Sequence, residues 1–215
     1  MPVITAQAAR SHVAGARRPG ARIGILGGSF NPAHEGHLHI SRLAIRLLAL
    51  DELWWMVSPQ NPLKSSDDMA PFDERIASAR AMARHPRIIV TDIENRLGTR
   101  YTASTLRALR ATFPRAHFVW IMGADNLGQI SRWQNWRLIF RAVPIAVFDR
   151  ATYSFKALAS KAAHRFARFR MRSRNAARIV GHRPPAWVYF HSPLHPASAT
   201  RIRMMRKRRK ARRRR

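Results

Sequence analysis

Two histidines three residues apart, His34 and His37, lie in the stretch Gly27-Gly28-Ser29-Phe30-Asn31-Pro32-Ala33-His34-Glu35-Gly36-His37. An apolar run, Ile23-Gly24-Ile25-Leu26, enters it, and a helical pattern from Leu38 to Leu50 leaves it. A strand that turns through glycines into a helix presents free backbone N–H groups at the positive end of the helix dipole, where phosphate binds well. The spacing puts both imidazoles on one face once the helix has begun, and imidazole can carry the positive charge that a polyphosphate calls for. The chemistry predicted is phosphate binding. The plain alternative is a tight βα turn with two surface histidines. No Gly-Lys-Ser/Thr follows, so this is not a Walker loop, and the glycines do not have the GxGxxG spacing of a dinucleotide site.

Other polar residues of interest follow apolar runs. Lys64, in the loop Ser58-Pro59-Gln60-Asn61-Pro62-Leu63-Lys64, can reach an anion or be a solvated lysine. Tyr101-Thr102 opens a helical pattern, with Thr102 expected as the N-cap. After Phe118–Met122 come Gly123, where a ligand can approach the backbone, and Asp125, which can accept from two ribose hydroxyls. Trp133 and Trp136 are either both core or split, with one face offered to a heterocycle. Near the C-terminus, Ser198, Thr200 and Arg203 form a second candidate phosphate site at a helix start, the Arg adding charge and bidentate contacts.

These residues need a scaffold that gathers strand ends. Short, non-alternating apolar runs at 23–26, 53–57, 88–91, 118–122, 145–148 and 187–190 read as strands buried on both faces. Helical patterns at 38–50, 72–84, 103–112, 136–142, 155–169 and 199–210 alternate with them. The expectation is an α/β protein with a doubly wound, mostly parallel sheet that binds ligands at the carboxyl ends of its strands. Residues 1–20 read as a flexible leader, 21–205 as the folded unit and 206–215 as a basic tail. Pro71-Phe72-Asp73-Glu74-Arg75 is assigned to structure, as an acid-rich first helical turn.

The formal charge is +29, and eleven Lys/Arg lie between Arg201 and Arg215, which leaves +18 without them. Such a balance concentrates nucleotides and nucleic acids, and weak nucleic-acid binding by the tail is one expectation. The absence of cysteine rules out disulfides and thiolate metal sites and is compatible with a reducing, cytoplasmic setting. No apolar run is long enough to cross a bilayer.

GGSFNPAHEGH resembles the (H/T)xGH signature of the nucleotidyltransferase superfamily. With SPQNPLK, ENRLGTRYTASTL, WIMGADNL followed by RWQNW, AVFDR and SATRIR, the chain from about Arg22 to Arg203 is similar to the bacterial nicotinate-mononucleotide adenylyltransferases. The resemblance implies a Rossmann-like nucleotidyltransferase fold, transfer of AMP from ATP to nicotinate mononucleotide, and Mg²⁺ held mainly through the ATP phosphates. It implies His34, His37 and Arg203 as catalytic residues. Gly27, Gly28, Ser29, Phe30, Gly123, Asp125, Ser198 and Thr200 join them in binding ATP, and Lys64, Tyr101, Thr102, Trp133 and Arg150 bind the mononucleotide. No protein metal ligand is implied. Two departures stand out. Ala199 replaces a serine of the family's usual final motif, and the loop before Ser65 keeps only Pro62 and Lys64 of the usual Pro-Pro-His-Lys form.

Within the superfamily the rivals are a pantetheine-phosphate adenylyltransferase and a cytidylyltransferase, which share the histidine motif. From another class, a basic nucleic-acid-binding protein is disfavoured by the scarcity of aromatic residues among the arginines.

Overall fold

A computed structural model describes residues 13–59, 69–149, 154–191, 197 and 199–212. Seven parallel strands form one sheet: β1 (Arg22–Gly28), β2 (Glu52–Val57), β3 (Ile88–Thr91), β4 (His117–Gly123), β5 (Ile145–Phe148), β6 (Arg170–Met171) and β7 (Trp187–Phe190). Their order is β3-β2-β1-β4-β5-β7-β6. The chain reverses its winding between β1 and β4, and in open parallel sheets the crevice at that reversal is where ligands bind.

The helices are α1 (Glu35–Leu47), α2 (Phe72–Met82), α3 (Ile93–Arg96), α4 (Thr102–Thr112), α5 (Ala124–Gln129), α6 (Trp136–Ala142), α7 (Ser154–Leu158), α8 (Lys161–Arg165) and α9 (Ala199–Arg212). They cover both faces of the sheet. Trp54, Met56, Trp120, Met122, Ile145 and Val147 point into a core that includes Leu106 and Leu109 of α4 and Phe140 of α6. Their strand neighbours Trp55, Val57, Val119, Ile121, Ala146 and Phe148 point into a second core with Leu38, Ala44 and Ile45 of α1 and Ile76 and Ala79 of α2. Alternate residues serve opposite cores, so the central strands β1, β4, β5 and β7 keep no polar face.

The expected doubly wound sheet is present, with all six expected strands. Three details differ. The helix expected over 155–169 is broken into α7, α8 and a 3-10 turn, Ala167–Phe169, followed by the edge strand β6. Ser160 interrupts it by capping α8, its side chain accepting from the Ala163 N–H. Within the expected leader, Val13 and Ala16 are buried, each 2% exposed, and the exposed Arg18 pairs with Asp51 at 2.6 Å. Thr102 is the first residue of α4 and Tyr101 takes the N-cap position.

Candidate active site

His34 is the N-cap of α1 and is buried. Its Nδ1 accepts from the Gly36 N–H at 3.1 Å, while the His34 N–H donates to His37 Nδ1 at 3.2 Å. This is a capping box built from two imidazoles. Because each Nδ1 acts as an acceptor, each ring carries its proton on Nε2 and presents a donor there. The rings stack with centroids 3.8 Å apart, and His37 also lies 4.8 Å from the Phe30 ring. Gly36 is required by space, since a Cβ there would meet His34 Nδ1 at 2.9 Å and the Ala197 carbonyl at 3.1 Å. A buried relay fixes the first turn. The Trp55 indole donates to Ser41 Oγ at 2.7 Å, and Ser41 donates to the His37 carbonyl at 2.8 Å.

The turn before α1 is shaped by Phe30, whose backbone is left-handed at φ 46° and whose ring stacks on Trp55 at 5.1 Å. A conformation that bulky residues seldom adopt is held by the burial of the ring. Arg75 of α2 lies beneath the turn, 2% exposed. Its guanidinium donates to the carbonyls of Ser29 at 2.8 Å, Ser58 at 2.7 Å, Pro59 at 2.7 Å and Ala70 at 3.0 Å. No carboxylate among the described residues pairs with it, and burial lowers its pKa. One side chain thus ties the β1–α1 turn to the loop that follows β2.

Across the crevice, Glu94 of α3 is also buried. Its Oε1 accepts from Thr105 Oγ1 at 3.0 Å; that hydroxyl also lies 3.1 Å from the Tyr101 carbonyl and 2.9 Å from Thr99 Oγ1. Glu94 Oε2 is buried with no hydrogen-bond partner among the described residues. Burial pushes this carboxyl up to about 7, against hydrogen bonds from Thr105 and Ser58 that pull it down. At the end of β4, Gly123 caps α5 and Asp125 sits in its first turn. Trp120 of β4 packs so close to Gly27 that a Cβ there would lie 2.3 Å from its ring, and its buried indole N–H has no partner among the described residues. Arg203 of α9 donates to the Asn31 carbonyl at 2.8 Å, joining the last helix to the first turn.

The histidine turn, Glu94, Trp120, Asp125 and Arg203 line one cavity of about 630 Å³ at the carboxyl ends of β1 and β4, within the range of small-ligand sites. Gly27, Gly28, Ser29, Phe30, His34, His37, Tyr101, Thr102, Gly123, Asp125, Trp133, Thr200 and Arg203 line it. A more open cleft of about 780 Å³ lies at the opposite strand ends, near His117, Pro144 and Pro184. Its four arginines among twenty lining residues match the chain's overall frequency of basic residues, so it is not a marked site.

The profile of the cytidylyltransferase-like family matches residues 25–205. A protein of Parvibaculum lavamentivorans named "Probable nicotinate-nucleotide adenylyltransferase" is 54% identical over 86% of this chain and 92% of its own length. A protein of the same name from Caulobacter sp. is 52% identical over 85% and 96%. This chain belongs to the nicotinate-nucleotide adenylyltransferase family. Plasmodium falciparum nicotinic acid mononucleotide adenylyltransferase, solved in complex with NaAD, shares the fold at TM-score 0.63 and 16% identity, covering 86% of this chain and 83% of that one.

For an adenylyltransferase of this family the cavity is well furnished. Trp133 and Trp136 are both partly buried against the same core, Trp136 edge-on to Phe140 and Phe166, and Trp133 also lines the cavity. Lys64, Arg150 and Ser198 lie outside the described residues. Sequence reasoning assigned no role to Glu94, Arg100, Trp120 and Arg132, which line the cavity, or to Arg75 beneath it. Glu94 lies in a polar run and Arg75 in a first helical turn assigned to structure, and only the fold shows both side chains buried. Trp120 reads simply as strand core.

Proposed function

We propose that this protein transfers AMP from ATP to nicotinate mononucleotide, forming nicotinate adenine dinucleotide and pyrophosphate in NAD biosynthesis. The observation that carries this reading is the convergence, in one cavity, of the paired-histidine helix start, the Tyr101-Thr102 helix start and Trp133, in a chain half identical to relatives of that name.

The nucleophile is the substrate's own phosphate, already ionised at neutral pH. It attacks the α-phosphorus of ATP. The new P–O bond forms as the bond to pyrophosphate breaks, and no protein base is needed. The residues position two anions and stabilise added charge. The Nε2–H donors of His34 and His37 meet the phosphates, with His37 serving the transition state. The N–H groups of Gly28 to Phe30 run along the nucleotide. Thr200 and Arg203, with Ser198, take the β- and γ-phosphates, and Asp125 with Gly123 takes a ribose. Trp133 stacks on the pyridinium ring, and the N–H and hydroxyl of Thr102 meet its carboxylate at the positive end of α4. Lys64 and Arg150 serve the mononucleotide phosphate.

Among the described residues, no group of three or more His, Asp or Glu could by itself hold a metal ion. A Mg²⁺ that arrives on the triphosphate would keep its waters and need few protein ligands. Bound there, it neutralises phosphate charge. No described helix is long and apolar enough to cross a membrane.

The test is to incubate purified protein with ATP, Mg²⁺ and, separately, nicotinate mononucleotide, phosphopantetheine and a cytidylyl-transfer pair. The expected result is dinucleotide and pyrophosphate from the first alone. Efficient adenylylation of phosphopantetheine instead would overturn the reading.

A further inference from the structure

Glu94 is 3% exposed yet lines the substrate cavity. Its one satisfied oxygen is held by Thr105, in the turn of α4 that follows Tyr101 and Thr102. Its other oxygen is buried without a hydrogen-bond partner among the described residues. An anion is poorly served there, whereas a carboxylic acid can keep its proton on that oxygen.

Among the described residues, none supplies a counter-charge to it. The groups that hold the carboxyl are the hydroxyls of Thr105 and Ser58. β2, packed against α3, brings its own acid, Glu52, only at the far end of the strand. On α3 itself Asp92 and Arg96 pair with each other at 2.7 Å. The remaining ionisable groups on the cavity wall are His34, His37, Arg100, Tyr101, Asp125, Arg132 and Arg203, and none of them is its hydrogen-bond partner or shifts its titration.

We propose that Glu94 sets the choice between the acid and the amide mononucleotide: bearing its proton it admits a ring carboxylate at the start of α4, and as an anion it disfavours that carboxylate but not a carboxamide. This rests on the adenylyltransferase reading and deepens it. Burial holds the carboxyl up to about 7, so the proton leaves within the neutral range. Below that value the site is neutral at Glu94 and the acid is favoured. Above it, two like charges share a water-poor cavity, a penalty on the order of tenfold or more in relative efficiency.

The readout is the ratio of kcat/KM for nicotinate mononucleotide to that for nicotinamide mononucleotide, from about pH 5.5 to about pH 8.5. The 5′-phosphate and ATP titrate alike with both substrates, so they cancel in the ratio. The wild-type ratio should fall on the order of tenfold, with its midpoint near the Glu94 transition. Glu94→Gln keeps an acceptor for Thr105 and carries no charge, so its ratio should stay flat near the acid-limb value. A flat wild-type ratio would overturn the proposal without needing the variant. So would a Glu94→Gln ratio that keeps the wild-type slope, which would assign the effect to His34 or His37. A thermal melt of the variant confirms that folded protein is compared. Should neither mononucleotide yield dinucleotide in the wild type, the functional reading itself fails, an outcome distinct from a flat ratio.

Discussion

His37 is held from several sides: by the His34 N–H on its Nδ1, by the His34 ring stacked at 3.8 Å, and by Ser41 on its carbonyl. With Nδ1 held, the proposed phosphate donor is Nε2–H. His37→Ala should lower kcat by about two to three orders of magnitude, the scale of one lost electrostatic donor. It should also cost about 1 kcal/mol of stability, because half of the capping box goes with it. Saturation kinetics and chemical denaturation check the two parts separately, and a variant with more than about a tenth of wild-type kcat would remove His37 from the mechanism. The sequence alone made His37 legible as a phosphate-binding residue because its neighbours are glycines and a strand. It did not reveal that the histidines cap their own helix. Spacing gives the face of a helix but not which ring nitrogen the backbone occupies.

At the scale of elements, Arg75 is a fastener rather than a surface charge. Four carbonyls from the β1–α1 turn, the loop after β2 and the approach to α2 converge on one planar guanidinium, an arrangement that a single ammonium cannot reproduce. Arg75→Lys should therefore lower unfolding free energy by about 2 kcal/mol through lost charge-assisted bonds. It should also reduce kcat/KM by up to about a hundredfold as the histidine turn shifts, though Arg75 touches no substrate. Urea denaturation and steady-state kinetics on the same preparation test this, and wild-type values in both would show that the loops hold themselves. The strands were readable because burial on both faces leaves only apolar residues in them. The helix expected over 155–169 was not, because alanine and arginine support helix everywhere and the break depends on Ser160 finding the next segment to cap. Burial of Arg75 was hidden for a related reason: its carbonyl partners are backbone groups, which leave no trace in residue type.

The whole molecule combines a neutral-looking core with an extreme charge of +29. The two sheet faces, the winding reversal between β1 and β4 and the position of the cavity all follow from the alternation of strands and helices. The final basic residues do not. The backbone of α9 continues to Arg212, while its bond into the cavity wall comes from Arg203, on the first turns of that helix. Truncation after Lys207 should leave dinucleotide formation within about twofold of the full chain, since the Arg203 bond to the cavity wall is kept. Retention of the full chain on immobilised RNA should fall steeply with salt, and truncation, which removes seven basic residues and leaves +22 of the +29, should weaken it further. Loss of activity with the fold intact would instead place the tail in the catalytic unit.

The bond between Arg203 and Asn31 spans 172 residues of sequence. On the ribosome, the histidine turn is therefore synthesised on the order of ten seconds or more before the helix that closes over it. Until then a nascent chain can pair β1 with β2 and β4 but cannot close the phosphate end of its cavity. Catalytic competence arrives as a late, abrupt event in translation, so prematurely terminated products should be inert toward ATP rather than partly active.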